Sequence, residues 1–357
     1  MEDRISLALE DGSIITGQSF GAHTDTEGEV VFNTSMVGYP ESLTDPSYRG
    51  QILVLTYPLI GNYGVPEETT DQDGLQANFE SEKPHIRALI VSEYSDDFSH
   101  WNAKESLGSW LIRHGIPAIS GVDTRALTQK IREKGTMLGR VMTKNPTYGE
   151  VISPDTTNLA DEVATKEIIA YKRGQKHISI VDTGCKANII RDFLKRDITV
   201  TRIPWDQDPF ELKTKFDGIF FSNGPGDPML PQETHNTMRK CFERKIPTCG
   251  ICLGSQIMGI AAGAKTYKLK YGHRAQNQPC TDMETGRCYI TSQNHGFAID
   301  EKTIPKDWSV WFKNQNDNTV EGLKHKKHPF LSVQFHPEAT PGPTDTSFVF
   351  DRFIELL

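Results

Sequence analysis

Pro247-Thr248-Cys249-Gly250-Ile251-Cys252-Leu253-Gly254-Ser255-Gln256, continuing to Ala262, is the stretch that decides the fold. Pro247 to Ile251 reads as a buried apolar strand, and Ser255 to Ala262 as a helix of small and apolar residues. Between them Gly250 and Gly254 stand two residues to either side of Cys252, which is the nucleophile elbow written with cysteine in place of serine. Side chains beside so tight a turn would collide, hence the glycines. The elbow lifts the sulfur clear of the sheet and sets it at a helix N-terminus, where amide dipoles favour thiolate over thiol. The Leu253 amide then points at the place where an oxyanion would form. Gln256, four residues after the cysteine, faces the same way as the sulfur. Cys249 to Cys252 is also a C-x-x-C, but thiol oxidoreductases open the helix at their first cysteine. Here Cys249 falls inside the strand, which argues against redox chemistry.

Outward from the elbow the texture is one of alternating βα units. Strands are expected at 178–181, 198–203 and 218–221, with helices at 187–195 and 232–244. Strands separated by helices of about ten residues imply an α/β fold with a doubly wound, mostly parallel sheet over residues 177–357. Ligands in such sheets bind beyond the carboxyl ends of the strands. Residues 1–150 read differently, as a β-rich α+β domain. Leu7 and Leu9 alternate with polar neighbours, Asp11-Gly12 supplies a turn and Ile14-Ile15 begins the return. Further strands are expected at 28–34, 51–57, 86–92 and 138–143, and a helix at 106–114. The glycine-rich stretches 38–40 and 58–64 read as loops too peculiar to be mere connectors. The polar run from Asn145-Pro146 through Lys172-Arg173-Gly174 lacks a sustained apolar period, and 151–176 is expected to be a linker.

A cysteine nucleophile needs a base, and the base an orienting group. Phe335-His336-Pro337-Glu338 offers both. Pro337 biases His336 to extended backbone, and if the extension continues, His336 and Glu338 point to one side. Ser222-Asn223-Gly224-Pro225-Gly226-Asp227-Pro228 follows a strand and exposes bare backbone amides, which is how an oxyanion hole gets its second donor. Thr291 to Phe297 reads as a strand ending in a polar loop suited to a zwitterion, with His295 as a structural histidine.

Bulk properties narrow the classes. The chain has 357 residues, 36% hydrophobic and 24% charged, with a net charge of −8. Interspersed charge of that sign argues against nucleic acid or a polybasic membrane patch. The start, Met1-Glu2-Asp3-Arg4, has no signal-peptide features, and no run is long enough to span a bilayer; a cytoplasmic protein is expected. The six cysteines suit neither a disulfide framework nor a tetrahedral metal set, so no metal is assigned. No G-x-x-x-x-G-K-[ST] run is present, so the chain is given no ATP site.

Residues 250–254, 222–228 and 336–338, in this order and spacing, resemble class I (triad) glutamine amidotransferases. Residues 28–32, 38–41, 44–48, 57–64 and 121–125, with Asn294-His295-Gly296-Phe297, resemble the carbamoyl-phosphate synthetase small subunit. The stretch 53–64 resembles in particular the glutaminase portion of the eukaryotic multifunctional pyrimidine enzyme; a chain stopping at Leu357 would then be an excised portion of it. The resemblance implies Cys252 as nucleophile and His336 with Glu338 as the rest of a triad. It implies glutamine contacts from Ser47, Gly224, Gly226, Leu253, Gln256, Asn294, Gly296 and Phe297. It also implies a synthetase partner, possibly fused after the chain's end, that binds ATP and bicarbonate and makes carbamoyl phosphate from the released ammonia, for de novo pyrimidine biosynthesis. The arginine-pathway counterpart is the alternative. One departure stands out: the family commonly has Gly-His-Gln after the elbow, and this chain has Gly254-Ser255-Gln256. Two rivals are weighed. A sister amidotransferase serving another synthase predicts no resemblance before His177. A catalytically weak docking module would be favoured by loss of Cys252, His336 or Glu338, and all three are present.

Overall fold

The turn residues and alternating strands of the first part close on themselves. In a computed structural model describing residues 4–144 and 146–357, the chain divides into two units between Thr157 and Asn158. Met1 to Asp3 and Asn145, at the expected acidic start and the beginning of the polar run, lie outside the described residues.

The first unit is built on a closed barrel of seven strands: β1 (Arg4–Leu9), β2 (Ile14–Ser19), β3 (Thr26–Asn33), β4 (Gln51–Leu55), β5 (Ala88–Ile90), β6 (Ala118–Ser120) and β7 (Met137–Met142). Their order around the barrel is β1-β7-β3-β4-β5-β6-β2. Closure removes the open edges that a free sheet would present. The β1–β2 hairpin turns at Asp11-Gly12, where Gly12 has φ +83° and donates to the Leu9 carbonyl at 2.9 Å. The expected helix at 106–114 runs Leu107–Arg113, with Ser106 Oγ accepting from the Ser109 amide. A helix over Thr124–Lys134 was not expected. Its start is the Gly121-Val122-Asp123-Thr124-Arg125 motif itself, where Asp123 caps by accepting from the Ala126 amide at 2.8 Å. The two glycine-rich stretches fasten to each other: Tyr63 Oη accepts from the Gly38 and Tyr39 amides, and Tyr39 Oη donates to the Gly64 carbonyl at 2.7 Å.

The second unit holds a ten-stranded sheet. Its strands are β8 (Ile169–Tyr171), β9 (His177–Asp182), β10 (Thr199–Pro204), β11 (Gly218–Phe221), β12 (Thr248–Ile251), β13 (Thr266–Asp282), β14 (Cys288–Ile299), β15 (Trp308–Asn314), β16 (Val320–His325) and β17 (Phe330–Val333). They lie in the order β8-β10-β9-β11-β12-β17-β16-β14-β13-β15. The five from β10 to β17 are parallel, as the βα reading requires. The other five are antiparallel, so the sheet is mixed and its parallel part is the half that holds the elbow. Helices Ala187–Lys195 and Gln232–Arg244 fall where the apolar spacing puts them. The run 151–176, expected as a linker, is corrected in part: β8 within it pairs with β10 and forms an edge of the sheet. Three residues are too few to show a period, which is why the strand was not read.

The core beneath the parallel strands is aromatic. Phe193 meets Phe220, Phe350 and Phe353 edge to face at centroid distances of 4.9, 5.1 and 6.0 Å, binding the terminal helix Phe348–Ile354 to the sheet. Among the described residues no helix is long and apolar enough to cross a membrane.

Candidate active site

The elbow is as tight as its glycines suggest. Cys252 sits at φ +53°, ψ −104°, between the end of β12 and the helix Leu253–Ala262. A Cβ on Gly250 would come within 2.5 Å of the Gly254 carbonyl oxygen, and one on Gly254 within 2.3 Å of the Phe221 carbonyl oxygen. Neither backbone can give way, so only glycine fits. The strained φ at a non-glycine residue is held by two backbone bonds. The Cys252 amide donates to the Val333 carbonyl at 2.9 Å, and the Gly254 amide to the Ser222 carbonyl at 3.1 Å. The first ties the nucleophile to β17, the second to the loop after β11.

β17 leads into the candidate base. The His336 amide donates to the Ser292 carbonyl at 2.9 Å, pinning this residue against β14. The extension does not continue beyond it: the chain turns at Pro337, and Ala339 and Thr340 have φ of +55° and +45°. His336 and Glu338 therefore meet across a turn and not along a strand, with Nδ1 and Oε1 2.6 Å apart. Both side chains are buried. Burial alone would push the imidazole pKa down, but the Glu338 carboxylate and the Cys252 sulfur outweigh it and raise it to about 10. Burial would push the Glu338 carboxyl up, but Lys186 and His336 hold it near 2. His336 Nε2 has no hydrogen-bond partner among the described residues, and the Cys252 thiol donates to the Asn294 carbonyl at 3.6 Å. Sulfur and imidazole thus sense each other electrostatically without a hydrogen bond of ordinary geometry.

Lys186 is the neighbour that the sequence reading missed. Its ammonium lies 3.1 Å from Glu338 Oε1, with its side chain 3% exposed, and donates to the Ala339 carbonyl. Asn188 Nδ2 donates to the Glu338 carbonyl. The available signal was position: Lys186 ends the short turn between β9 and the helix Ala187–Lys195, beyond the carboxyl end of a parallel strand.

The loop 222–228 is fastened from below. Thr183 Oγ1 donates to the Asn223 carbonyl at 3.0 Å, and the Lys186 amide to Asn223 Oδ1 at 3.1 Å. Gly224 passes so close to Thr183 that a Cβ would lie 2.1 Å from that carbonyl oxygen, and Gly226 has φ +86°. Among the described residues the amides of Leu253 and Gly224 have no acceptor, leaving two donors beside the elbow.

The remaining expected contacts fall in two places. Asn294, Gly296 and Phe297 do not form a polar loop; they lie inside the twelve-residue strand β14, a correction to the sequence reading. The glycine and polar residues there mimic a loop in composition while pairing with β13, where the register shifts between Lys268 and His273. Gln256 turns its amide nitrogen inward, donating to the Phe297 carbonyl at 2.9 Å and to Gln334 Oε1 at 3.0 Å. His295, read as a structural histidine, has Nδ1 2.8 Å from the Phe297 carbonyl oxygen, and burial first holds its pKa well below 6.5. Ser47 belongs to the first unit. It is buried in the short turn Pro46–Tyr48, its amide donating to Asp45 Oδ1 at 2.9 Å. Ser255, at the family's usual histidine position, has Oγ 2.9 Å from Ser332 Oγ, joining the nucleophile helix to β17. Cys249 is fully buried and its thiol pKa is pushed up by burial, unlike a redox cysteine.

Comparison with known proteins covers both units. Residues 7–141 match the family of the carbamoyl-phosphate synthase small chain, CPSase domain, and residues 179–356 match glutamine amidotransferase class-I. The chain is 49% identical to the carbamoyl phosphate synthase arginine-specific small chain of Aspergillus clavatus, over 99% of this chain and 79% of that protein. It is 51% identical to multifunctional protein CAD of Squalus acanthias, over 98% of this chain and 16% of that one. With multifunctional protein pyr-3 of Neurospora crassa the identity is 49%, over 100% and 21% respectively.

Proposed function

The chain belongs to the family of carbamoyl-phosphate synthase small chains, with a class I glutamine amidotransferase as its second unit, and from that premise we propose that it hydrolyses L-glutamine through a thioester on Cys252 and delivers the ammonia to a synthetase. The observation that carries the reading is the arrangement of Cys252 on its elbow, the His336–Glu338 pair and the two amides of Leu253 and Gly224.

In this mechanism the Cys252 sulfur attacks the side-chain amide carbon of glutamine. The tetrahedral oxyanion takes hydrogen bonds from the Leu253 and Gly224 amides. His336, held protonated by Glu338, gives its proton to the departing nitrogen, and ammonia leaves. Water then attacks the glutamyl thioester, His336 takes its proton, and glutamate departs as the thiolate reforms. Glu338 orients the imidazole and stabilises its charged form, and Lys186 fixes Glu338. The amino-acid end of glutamine is assigned to Ser47, Gln256, Asn294, Gly296 and Phe297, and Gly226 is a further contact on the oxyanion loop. Gln256 has its carbonyl oxygen to offer, because its amide nitrogen is already engaged with Phe297 and Gln334.

ATP and bicarbonate are assigned to a synthetase large subunit, fused or separate, in the cytoplasm. Pyrimidine synthesis is the destination proposed. What supports it is the 51% identity to multifunctional protein CAD; the 49% identity to the arginine-specific small chain supports the alternative. The length of the native polypeptide separates the two, because a fused synthetase favours pyrimidine synthesis. The function itself is tested by assaying glutamate and ammonia release from glutamine. A chain that releases neither, alone or with its synthetase, is not a glutaminase.

A further inference from the structure

Glu321 is fully buried on β16 and reaches both strands that frame the site. Its side chain faces β14 and β13. Oε2 accepts from Gln293 Nε2 at 3.0 Å, and Oε1 lies 3.4 Å from His273 Nδ1 and accepts from Thr319 Oγ1 at 3.2 Å. His273 is in turn held by Asp317, Nε2 to Oδ2 at 2.8 Å. Its ring stands edge-on to His295 at 4.9 Å. Gln293 and His295 flank Asn294 directly in sequence and in the strand. Through its backbone Glu321 touches the other side of the site, its carbonyl accepting from the Gln334 amide at 2.8 Å, two residues before His336.

A carboxylate taken wholly out of water persists only when paired and hydrogen-bonded. The partners here are strand residues next to the proposed glutamine contacts, so the charge fixes where that stretch of β14 lies. The register of β13 against β14 shifts on both sides of His273–Ala275, so the regular ladder does not set this stretch by itself. We propose that Glu321, acting through His273 and Gln293, is a positioning residue that sets the Asn294–Phe297 segment for glutamine binding. The inference rests on the glutaminase function above. His273, His295 and Glu321 also place nitrogen and oxygen atoms within 4.8 Å of one another. Hydrogen bonds engage His295 and Glu321, and His273 Nδ1 faces Glu321 Oε1 as an ion pair, which together account for the cluster without a metal.

The test is Glu321→Gln in the full chain. The substitution keeps the side-chain shape and the backbone bond to Gln334, so the His336 side of the site is spared. It removes the charge that His273 and Gln293 answer. Loss of a hydrogen bond to a charged group corresponds to about ten- to a hundred-fold, expected here in the glutamine KM. The expected change in kcat is below about threefold, since ground-state and transition-state binding are lost together. Alkylation of Cys252 by iodoacetamide, which lacks an amino-acid end, should keep its wild-type rate. An unchanged KM overturns the proposal. So does a lower kcat at constant KM, the signature of a purely structural role, and so does a stoichiometric metal whose removal abolishes activity. If Glu321→Gln fails to fold, Asp317→Asn serves: its carboxylate is half exposed and acts through His273, so KM should rise in the same direction by a smaller factor. A wild-type KM in that variant overturns the proposal equally. Absence of glutaminase activity in the unsubstituted chain would instead sink the function itself.

Discussion

His336 Nδ1 and Glu338 Oε1 stand 2.6 Å apart with both side chains buried. The folded pKa of His336 is raised from 6.5 to about 10, so its contribution to stability is complete below about 6.5 and is lost as pH rises through 10. That of Glu338 is lowered from 4.5 to about 2, so its contribution is complete above about 4.5 and is lost as pH falls through 2. The pair stabilises most between those limits. Denaturant melts of wild type and Glu338→Gln should differ most near pH 6, and the gap should narrow as pH rises toward about 10, leaving the part that the Lys186 pairing supplies. A constant gap across that range would mean that His336 is not held charged by Glu338.

The same substitution bears on turnover. Glu338→Gln keeps the size of the side chain but not its charge, leaving the imidazole neutral and free to choose the wrong tautomer. Glutaminase kcat should fall by about a hundred- to ten-thousand-fold. A steady-state assay with saturating glutamine reads this directly. A loss below about tenfold would remove Glu338 from the proposed mechanism.

The parallel half of the second unit was legible because elbow, turn glycines and apolar runs all agree there. The antiparallel arm was not, since long twisted strands such as Thr266–Asp282 mix exposed and buried residues without a clean two-residue period. Asn294 to Phe297 misled for a related reason: polar residues and a glycine read as a loop, but they lie in a strand, Asn294 and His295 buried and Gly296 and Phe297 half-buried, with His295 paired to Gln293 and to the Phe297 carbonyl. Lys186 escaped because a buried lysine is identifiable only from its partner, Glu338, which is 152 residues away in sequence (338 − 186).

Ser255 and Ser332 share one buried hydrogen bond. Ser255→Ala leaves the Ser332 hydroxyl unpaired, at a cost of about 1–3 kcal/mol, while the nucleophile and its base stay in place. The melting temperature should fall, and Ser255→Ala/Ser332→Ala should recover part of the loss. Glutaminase kcat should change little. Thermal melts beside an activity assay check both, and a double variant less stable than the single one would contradict the pairing.

Ser47 is proposed to bind the amino-acid end of glutamine. Loss of a hydrogen bond to a charged group is worth about 1.5–3 kcal/mol, or about ten- to a hundred-fold. Ser47→Ala should raise the glutamine KM by that factor without slowing alkylation of Cys252. A wild-type KM removes Ser47 from the glutamine contacts.

Ammonia released without a partner is wasted, so the chain alone is expected to be a slow glutaminase, accelerated by a synthetase turning over ATP and bicarbonate. The proposed lever is the Gly224-Pro225-Gly226 loop. Misaligning one oxyanion donor costs about a hundred- to a thousand-fold in kcat, and a partner that binds the aligned form better shifts the population toward it. Comparing kcat for glutamine with and without the synthetase reads the coupling, and equal values would exclude it.

The most direct measurement is mass spectrometry of the chain quenched during glutamine turnover. A glutamyl group should appear on the peptide that contains Cys252, decay as glutamate is released, and be absent from Cys252→Ala, which should fold normally and release no ammonia. Ammonia release by Cys252→Ala at the wild-type rate, or a glutamyl group on another residue, would contradict the account.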